Sequence, residues 1–499
     1  MQTITRTEQG DTTVYAMVID GEIVSHLDIL TATRVVANIE TFAGWERRGF
    51  ARALWEAANA EADVLHAQDH HRTPEGDAFA HAGGGDTADE TEEETTMTTT
   101  ATRRQTADEK TPSAGAFTAG YRALVDALKT LALPAAGRKP LPVFSRVLAT
   151  VRPDEIELTS FDFDTAATVT LPVTGATPGR MLLDHPSITK ILSAAVKGSP
   201  KGIVDQLDVT IDTPDHTPVV HLAGYSLPLD DTVTVDAFPE LPQTTAPTHV
   251  VDREVLSTLV ERVTVAVDRG DTLPILTGIN TILDKHSLTL TATDRYRLAC
   301  GTIPVDGTTT EKVLIPAAVL AKLLPRLTSP QARLGVDVIA GTTWLTLADD
   351  TTTVRIRTLD GEYPTVVSSV LEQTSTRTVT LARAQLFQAA TRAASLSAAV
   401  KAGKNNPVTI TVCSGALTIA PTTAGDSTKI TAPALPADVD GETETWTTGA
   451  NPAYLLDAIA SMTADQVTLH LADPARPMVL TDAGDTTYRH VLMPVRLAG

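Results

Sequence analysis

The chain has 499 residues, enough for about three or four domains. Its net charge of −21 argues against a wholesale basic surface for nucleic acid and leaves room for a local basic lining. Two cysteines, Cys300 and Cys413, exclude a disulfide framework and a cysteine-rich zinc site. No apolar stretch reaches the roughly 18 residues needed to span a bilayer, and the opening residues carry no apolar signal segment, so a cytoplasmic protein is expected.

The first 83 residues read as a small α/β piece. Tyr15 to Val24 predicts a hairpin and Arg34 to Thr41 a strand. A helix is predicted from Arg52 to Ala62. Between strand and helix stand Arg47, Arg48, Gly49, Phe50 and Ala51. This strand–loop–helix resembles part of a GNAT-type acetyltransferase. The resemblance implies that backbone N–H groups at the helix N-terminus could cradle the pyrophosphate of acetyl-CoA. Glu46 departs from the family pattern, which has Gln or Arg there. His66 and His70 at i, i+4 have helical ligand spacing. His71 opens a turn and His81 lies too far for a defined third ligand, so no metal is expected.

Residues 84–112 break the pattern. Gly83-Gly84-Gly85 leads into an acidic and threonine-rich tract with almost no apolar residues, which predicts a disordered linker. Met97 lies inside it, so an internal start would yield the remainder alone.

From 113 onward the chain repeats with a register of 132 residues. Leu141-Pro142 and Asp162 recur as Leu273-Pro274 and Asp294. Ile188-Thr189-Lys190-Ile191-Leu192 recurs as Leu320-Ala321-Lys322-Leu323-Leu324, and a fainter third copy carries Tyr454-Leu455-Leu456. Repeats this long are domains rather than solenoid units. The expected copies are 113–245, 246–370 and 371–499. Each opens with an amphipathic helix: Phe117 to Leu133, Arg253 to Val267, Arg383 to Val400. Short alternating strands follow. Then comes a second helix (Pro186 to Val196, Pro316 to Leu327, Pro452 to Met462) with proline in its first turn, and more strands. That is an α+β arrangement, sheet on one side and helices on the other.

The helices carry spaced cations: Arg122 and Lys129, Lys190 and Lys197, Arg253, Arg262 and Arg269, Lys322 and Arg326, then Arg383, Arg392 and Lys401. Any solvated helix face carries some Lys and Arg. Repetition over five helices suggests a lining that attracts phosphates without reading bases.

The run Leu273 to Ile279, followed by Leu290-Thr291-Ala292-Thr293-Asp294-Arg295-Tyr296-Arg297-Leu298-Ala299, resembles the central domain of the bacterial beta sliding clamp. Val491 to Leu497 resembles that family's C-terminal signature. Tyr363-Pro364 and Phe238-Pro239 match its interdomain junctions. The resemblance covers about 113–499. It implies a head-to-tail homodimeric ring around duplex DNA, helices lining the hole. Replicative DNA polymerase, the clamp loader and other motif-bearing proteins are the implied partners, and no cofactor is needed. It places a DNA-contacting cation at Arg138, with Lys139 beside it. It places a peptide cleft at Leu276, Thr293, Arg295, Tyr296, Arg297, Leu298, Pro364, Val370, Leu492, Met493, Pro494, Val495 and Arg496. Ser368 and Ser369 would make one cleft edge more polar. No Walker loop, HExxH or GxSxG occurs in 113–499, which fits a non-catalytic role. Two rivals share these features: a clamp-tethered acetyltransferase, and a clamp-like scaffold for repair or transcription.

Overall fold

The computed structural model describes residues 2–9, 12–19, 22–30, 36–41, 53–55, 57–58, 114–135, 142–229, 233–270, 273–364, 370–371, 373–400, 406–413, 415–422 and 431–497. The chain forms two units, Met1–Glu109 and Lys110–Gly499.

In the first unit four strands form an antiparallel meander, Gln2–Gln9, Thr12–Ile19, Glu22–Leu30 and Val36–Thr41. The alternation Tyr15, Met17 on one strand and Leu27, Ile29 on the next puts these four side chains on one face. They bury against Leu54, Trp55 and Ala58 from the helical residues that follow. The loop 47–51, the histidines at 66, 70, 71 and 81, the tract 84–112 and Met97 lie outside the described residues.

The second unit repeats in the backbone as it does in the sequence. Strands Arg146–Val151, Glu155–Phe161, Thr165–Pro172 and Gly179–Asp184 return 132 residues later as Gly278–Leu283, Ser287–Thr293, Arg297–Pro304 and Glu311–Pro316. The third copy drifts: Val408–Cys413 stands 130 residues beyond Gly278–Leu283.

Among the described residues of this unit, six helices of seven residues or more accompany the strands: α1 (Tyr121–Ala135), α2 (His185–Ala195), α3 (Arg253–Thr264), α4 (Ala317–Leu323), α5 (Arg383–Val400) and α6 (Pro452–Ala460). Side-chain caps fix three of their starts: Asp184 accepts from the Ser187 N–H, Asp252 from Glu254 and Val255, Asn451 from Ala453 and Tyr454. One expected boundary is corrected. Residues 117–120 belong to strand Ala116–Gly120, not to the first helix. Phe117 and Ala119 alternate inward there, and the strand pairs with Asp208–Asp212. The other two copies likewise enter their first helix from a strand, His249–Asp252 and Arg377–Ala382.

Two nine-stranded antiparallel sheets run across the copy boundaries. Thr165–Pro172 of copy 1 pairs with Thr352–Arg357 of copy 2, and Arg297–Pro304 of copy 2 pairs with Asp485–Leu492 of copy 3. The junctions are therefore backbone ladders, not hinges. Copy 1 and copy 3 each add a smaller sheet, whose edge strands include Tyr225–Pro228 and Ala434–Pro436. One buried layer of aliphatic side chains lies between helices and sheets, including Leu124, Leu128 and Leu131 of α1 and Leu256, Leu259 and Val263 of α3.

Candidate functional site

The candidate site residues of the second unit fall in two regions: the outward faces of the helices and a groove between copies 2 and 3.

Each helix buries one apolar stripe, so its charged residues fall on the opposite face. Arg122, Lys129, Lys190, Lys197, Arg269, Lys322, Arg326 and Arg392 are exposed. Asp126 lies 2.7 Å from the Lys129 ammonium and 3.5 Å from the Arg122 guanidinium, which tempers the charge of α1. Arg253 and Arg383 are half-buried, and each donates through Nε to a backbone carbonyl, of Ser329 and Ala464. Arg138, Lys139 and Lys401 lie outside the described residues.

Arg262 is placed elsewhere than on the exposed face. Its guanidinium turns inward and donates to Asp482 at 2.6 Å, 3.8 Å above the Tyr488 ring. The Tyr488 hydroxyl donates back to the Arg262 carbonyl at 2.8 Å. Asp482 also accepts from the N–H groups of Thr463 and Ala464. Burial pushes the Asp482 carboxyl up, but these donors and Arg262 together hold it below the usual carboxylate range. Arg262 is thus a strut between copy 2 and copy 3.

The groove is built from a tight turn, a tail and a helix. Strand Ser287–Thr293 ends in a turn where Asp294 Oδ1 accepts from the Tyr296 and Arg297 N–H groups, both at 3.0 Å. Thr293 Oγ1 donates to the Arg297 carbonyl and accepts from the Arg295 N–H. The turn holds Arg295 at φ +77, a left-handed conformation, with its side chain exposed. The tail is tied on by two backbone bonds, Met493 N–H to the Tyr296 carbonyl and Val495 N–H to the Gly449 carbonyl. A Cβ on Gly449 would stand 2.4 Å from the Val495 oxygen, so this approach needs glycine.

The floor is apolar: Leu276, Leu298, Leu314, Tyr363 and Val491 are buried together, with Val370 and Leu371 packed against them. Burial pushes the Tyr363 hydroxyl well above its ordinary range. On the wall, Tyr296 is 59% exposed and stacks on Tyr454 of α6 at 6.4 Å between centroids. Pro364, Met493, Pro494 and Val495 are half-buried and Arg496 is exposed.

Two residues assigned to the groove sit differently. Strand alternation sends Leu492 into the main core and gives the floor Val491 instead. Arg297 is buried: it donates to Asp294 at 2.9 Å and to Asp457 of α6 at 2.6 Å, lying 4.4 Å from the Tyr454 ring centre. It braces the wall rather than facing the opening. Tyr454, Asp457 and Leu314 were missed in the sequence. Nothing local marks them, because they reach the groove only through the fold.

Comparison with known proteins decides the family. The profile for the DNA polymerase III beta subunit central domain matches residues 250–365, and that for its C-terminal domain matches 368–496. The Micrococcus luteus beta sliding clamp is 30% identical over 286 residues, covering 56% of this chain and 87% of that protein. This chain belongs to the beta sliding clamp family. The Streptomyces coelicolor beta sliding clamp is 27% identical over 389 residues, 75% of this chain and 98% of that protein. In fold, the Bacillus subtilis DNA polymerase sliding clamp superposes with a TM-score of 0.67 at 23% identity, covering 77% of this chain and all of that one. A Pseudomonas aeruginosa sliding clamp bound to griselimycin gives 0.66 at 22%, with the same coverage. As a beta sliding clamp, the chain is a DNA sliding clamp with a non-catalytic role. Among the described residues no group of acidic, histidine or cysteine side chains could hold a metal, and no helix is long and apolar enough to cross a membrane.

Proposed function

We propose that two copies of the chain close head to tail around duplex DNA in the cytoplasm and tether the replicative polymerase, the clamp loader and other motif-bearing proteins through the groove between copies 2 and 3. The observation that carries this reading is the continuity of sheets across both copy junctions. An array joined by backbone ladders has the same problem at each free end: an edge strand seeking a partner. Copy 1 offers Tyr225–Pro228, with Tyr225 62% and Leu227 38% exposed; copy 3 offers Ala434–Pro436. Joining these edges repeats the internal junction between chains and closes the ring if the rotation per copy permits.

A closed ring needs no tight contact with DNA. The exposed cations on α1, α2, α4 and α5 then supply diffuse phosphate attraction that leaves sliding free. The groove supplies an apolar floor, a tyrosine pair and the cations Arg295 and Arg496. This suits short peptides that combine apolar and acidic residues.

Sedimentation equilibrium of the full chain tests the assembly. A dimer at micromolar concentration that Leu227→Glu converts to monomer is the expected result. A wild-type monomer across that range contradicts it.

A further inference from the structure

The 132-residue register repeats the turn and its apolar floor where copies 1 and 2 meet. Phe163 stands one register before Arg295, and both residues adopt positive φ, +70 and +77 respectively. Asp162 forms the same turn as Asp294, accepting from the Thr165 N–H at 2.8 Å. Leu276 corresponds to Phe144, and Leu314 to Leu182. Beneath Phe163 lies an apolar floor of Phe161, Ala166, Leu182, Val235, Phe238 and Trp344, separate from the main core.

Aromatic residues are 4% of the chain, yet Phe144, Phe161, Phe163, Phe238 and Trp344 gather here. Phe163 meets Phe144 edge-on at 5.4 Å and Phe161 at 5.1 Å. It is nonetheless 53% exposed. A bulky side chain at positive φ is disfavoured, and this one is held over a hydrophobic floor with much of its ring in water. This junction is the more acidic of the two. Where copies 2 and 3 present Arg295 and Arg496 beside Asp360 and Glu362, this one presents Asp164, Asp236 and Glu240 to solvent. Among the described residues Arg357 pairs with Asp164 at 3.5 Å.

We propose that this junction is a second peptide-docking site, selective for short segments that insert an aliphatic or aromatic side chain beside Phe163 and carry a neighbouring lysine or arginine. On the ring of the proposed function, two classes of partner would then be held at once; the docking site itself rests on its own residues.

The test selects phage-displayed random dodecapeptides on the full-length chain. Fluorescence polarisation then measures each enriched peptide on wild type, Phe163→Gly and Tyr296→Ala. Glycine suits a left-handed backbone, so Phe163→Gly removes the ring without unfolding the turn; an unchanged or raised Tm checks this. The expected result is a class of apolar, basic peptides that bind at least tenfold more weakly to Phe163→Gly and within twofold of wild type to Tyr296→Ala. The proposal is overturned if every enriched peptide depends on Tyr296 and ignores Phe163, if nothing is enriched, or if the Phe163-dependent peptides are acidic. It is also overturned if Phe163→Gly changes the oligomeric state, since the patch would then be a contact between copies of this chain.

Discussion

Replacing Arg262 with methionine should weaken the junction between copies 2 and 3 more than any exposed helix cation would. The side chain is 12% exposed and its partner Asp482 4%, at 2.6 Å. Removing one member of a buried pair costs about 3–5 kcal/mol when the other is left unpaired. Asp482 keeps its bonds to Thr463 and Ala464, which lowers that cost. The lost stacking of the guanidinium on Tyr488 adds back about 1 kcal/mol. The expected loss is therefore about 3 kcal/mol. A double-mutant cycle with Asp482→Asn, read from urea unfolding by tryptophan fluorescence and circular dichroism together, should give a coupling of about 2 kcal/mol. Because the Asp482 carboxyl is held below its ordinary value, the folded state binds fewer protons than the unfolded one. The pair's contribution is thus full above about pH 4 and lost as pH falls through the folded pKa. Single variants whose costs simply add, with coupling under about 0.5 kcal/mol, would refute the strut.

Three further outcomes are expected. Burial, with Arg297 and Arg262 nearby, pushes the His490 imidazole down to about 3, so it stays neutral in the fold while the unfolded chain protonates near pH 6.5. Stability should fall by about 1.4 kcal/mol per pH unit below that point. Titration of Tm should show His490→Gln losing this slope. Gly449→Val should push the Val495 carbonyl away and dislodge the tail, weakening a polymerase-derived clamp-motif peptide about tenfold in fluorescence polarisation with little change in Tm. Lys322→Glu with Arg326→Glu should reduce the salt slope of DNA retention by roughly 2, at about 0.9 per phosphate contact.

Much of the fold was legible because the repeat spacing is conserved in the loops as well as the strands. Copies 1 and 2 keep four strands in one register, and the proline at each second helix marks its start. Strand Ala116–Gly120 was hidden because five residues with Phe117 and Ala119 apolar also fit the head of the helix that follows. The burial of Leu276 and Leu298 in one apolar cluster follows from their apolar character. The burial of Arg297 and Arg262 does not follow from sequence, because each is paid for by a carboxylate from copy 3, 160 and 220 residues away. The choice of Val491 over Leu492 turns on strand register, which apolar neighbours do not reveal. Nothing in the sequence marks Phe163 as exposed, because it is the turn geometry that holds it outward.

Topology is the central claim, and linear DNA tests it without a loader. The full chain is threaded at low salt onto a duplex biotinylated at both ends, the ends are capped with streptavidin, and the mixture is gel-filtered at about 0.5 M salt, where phosphate attraction is largely screened. The account predicts that the chain stays with the capped duplex and leaves once a restriction enzyme cuts it. Equal loss from capped and cut DNA would contradict a closed ring.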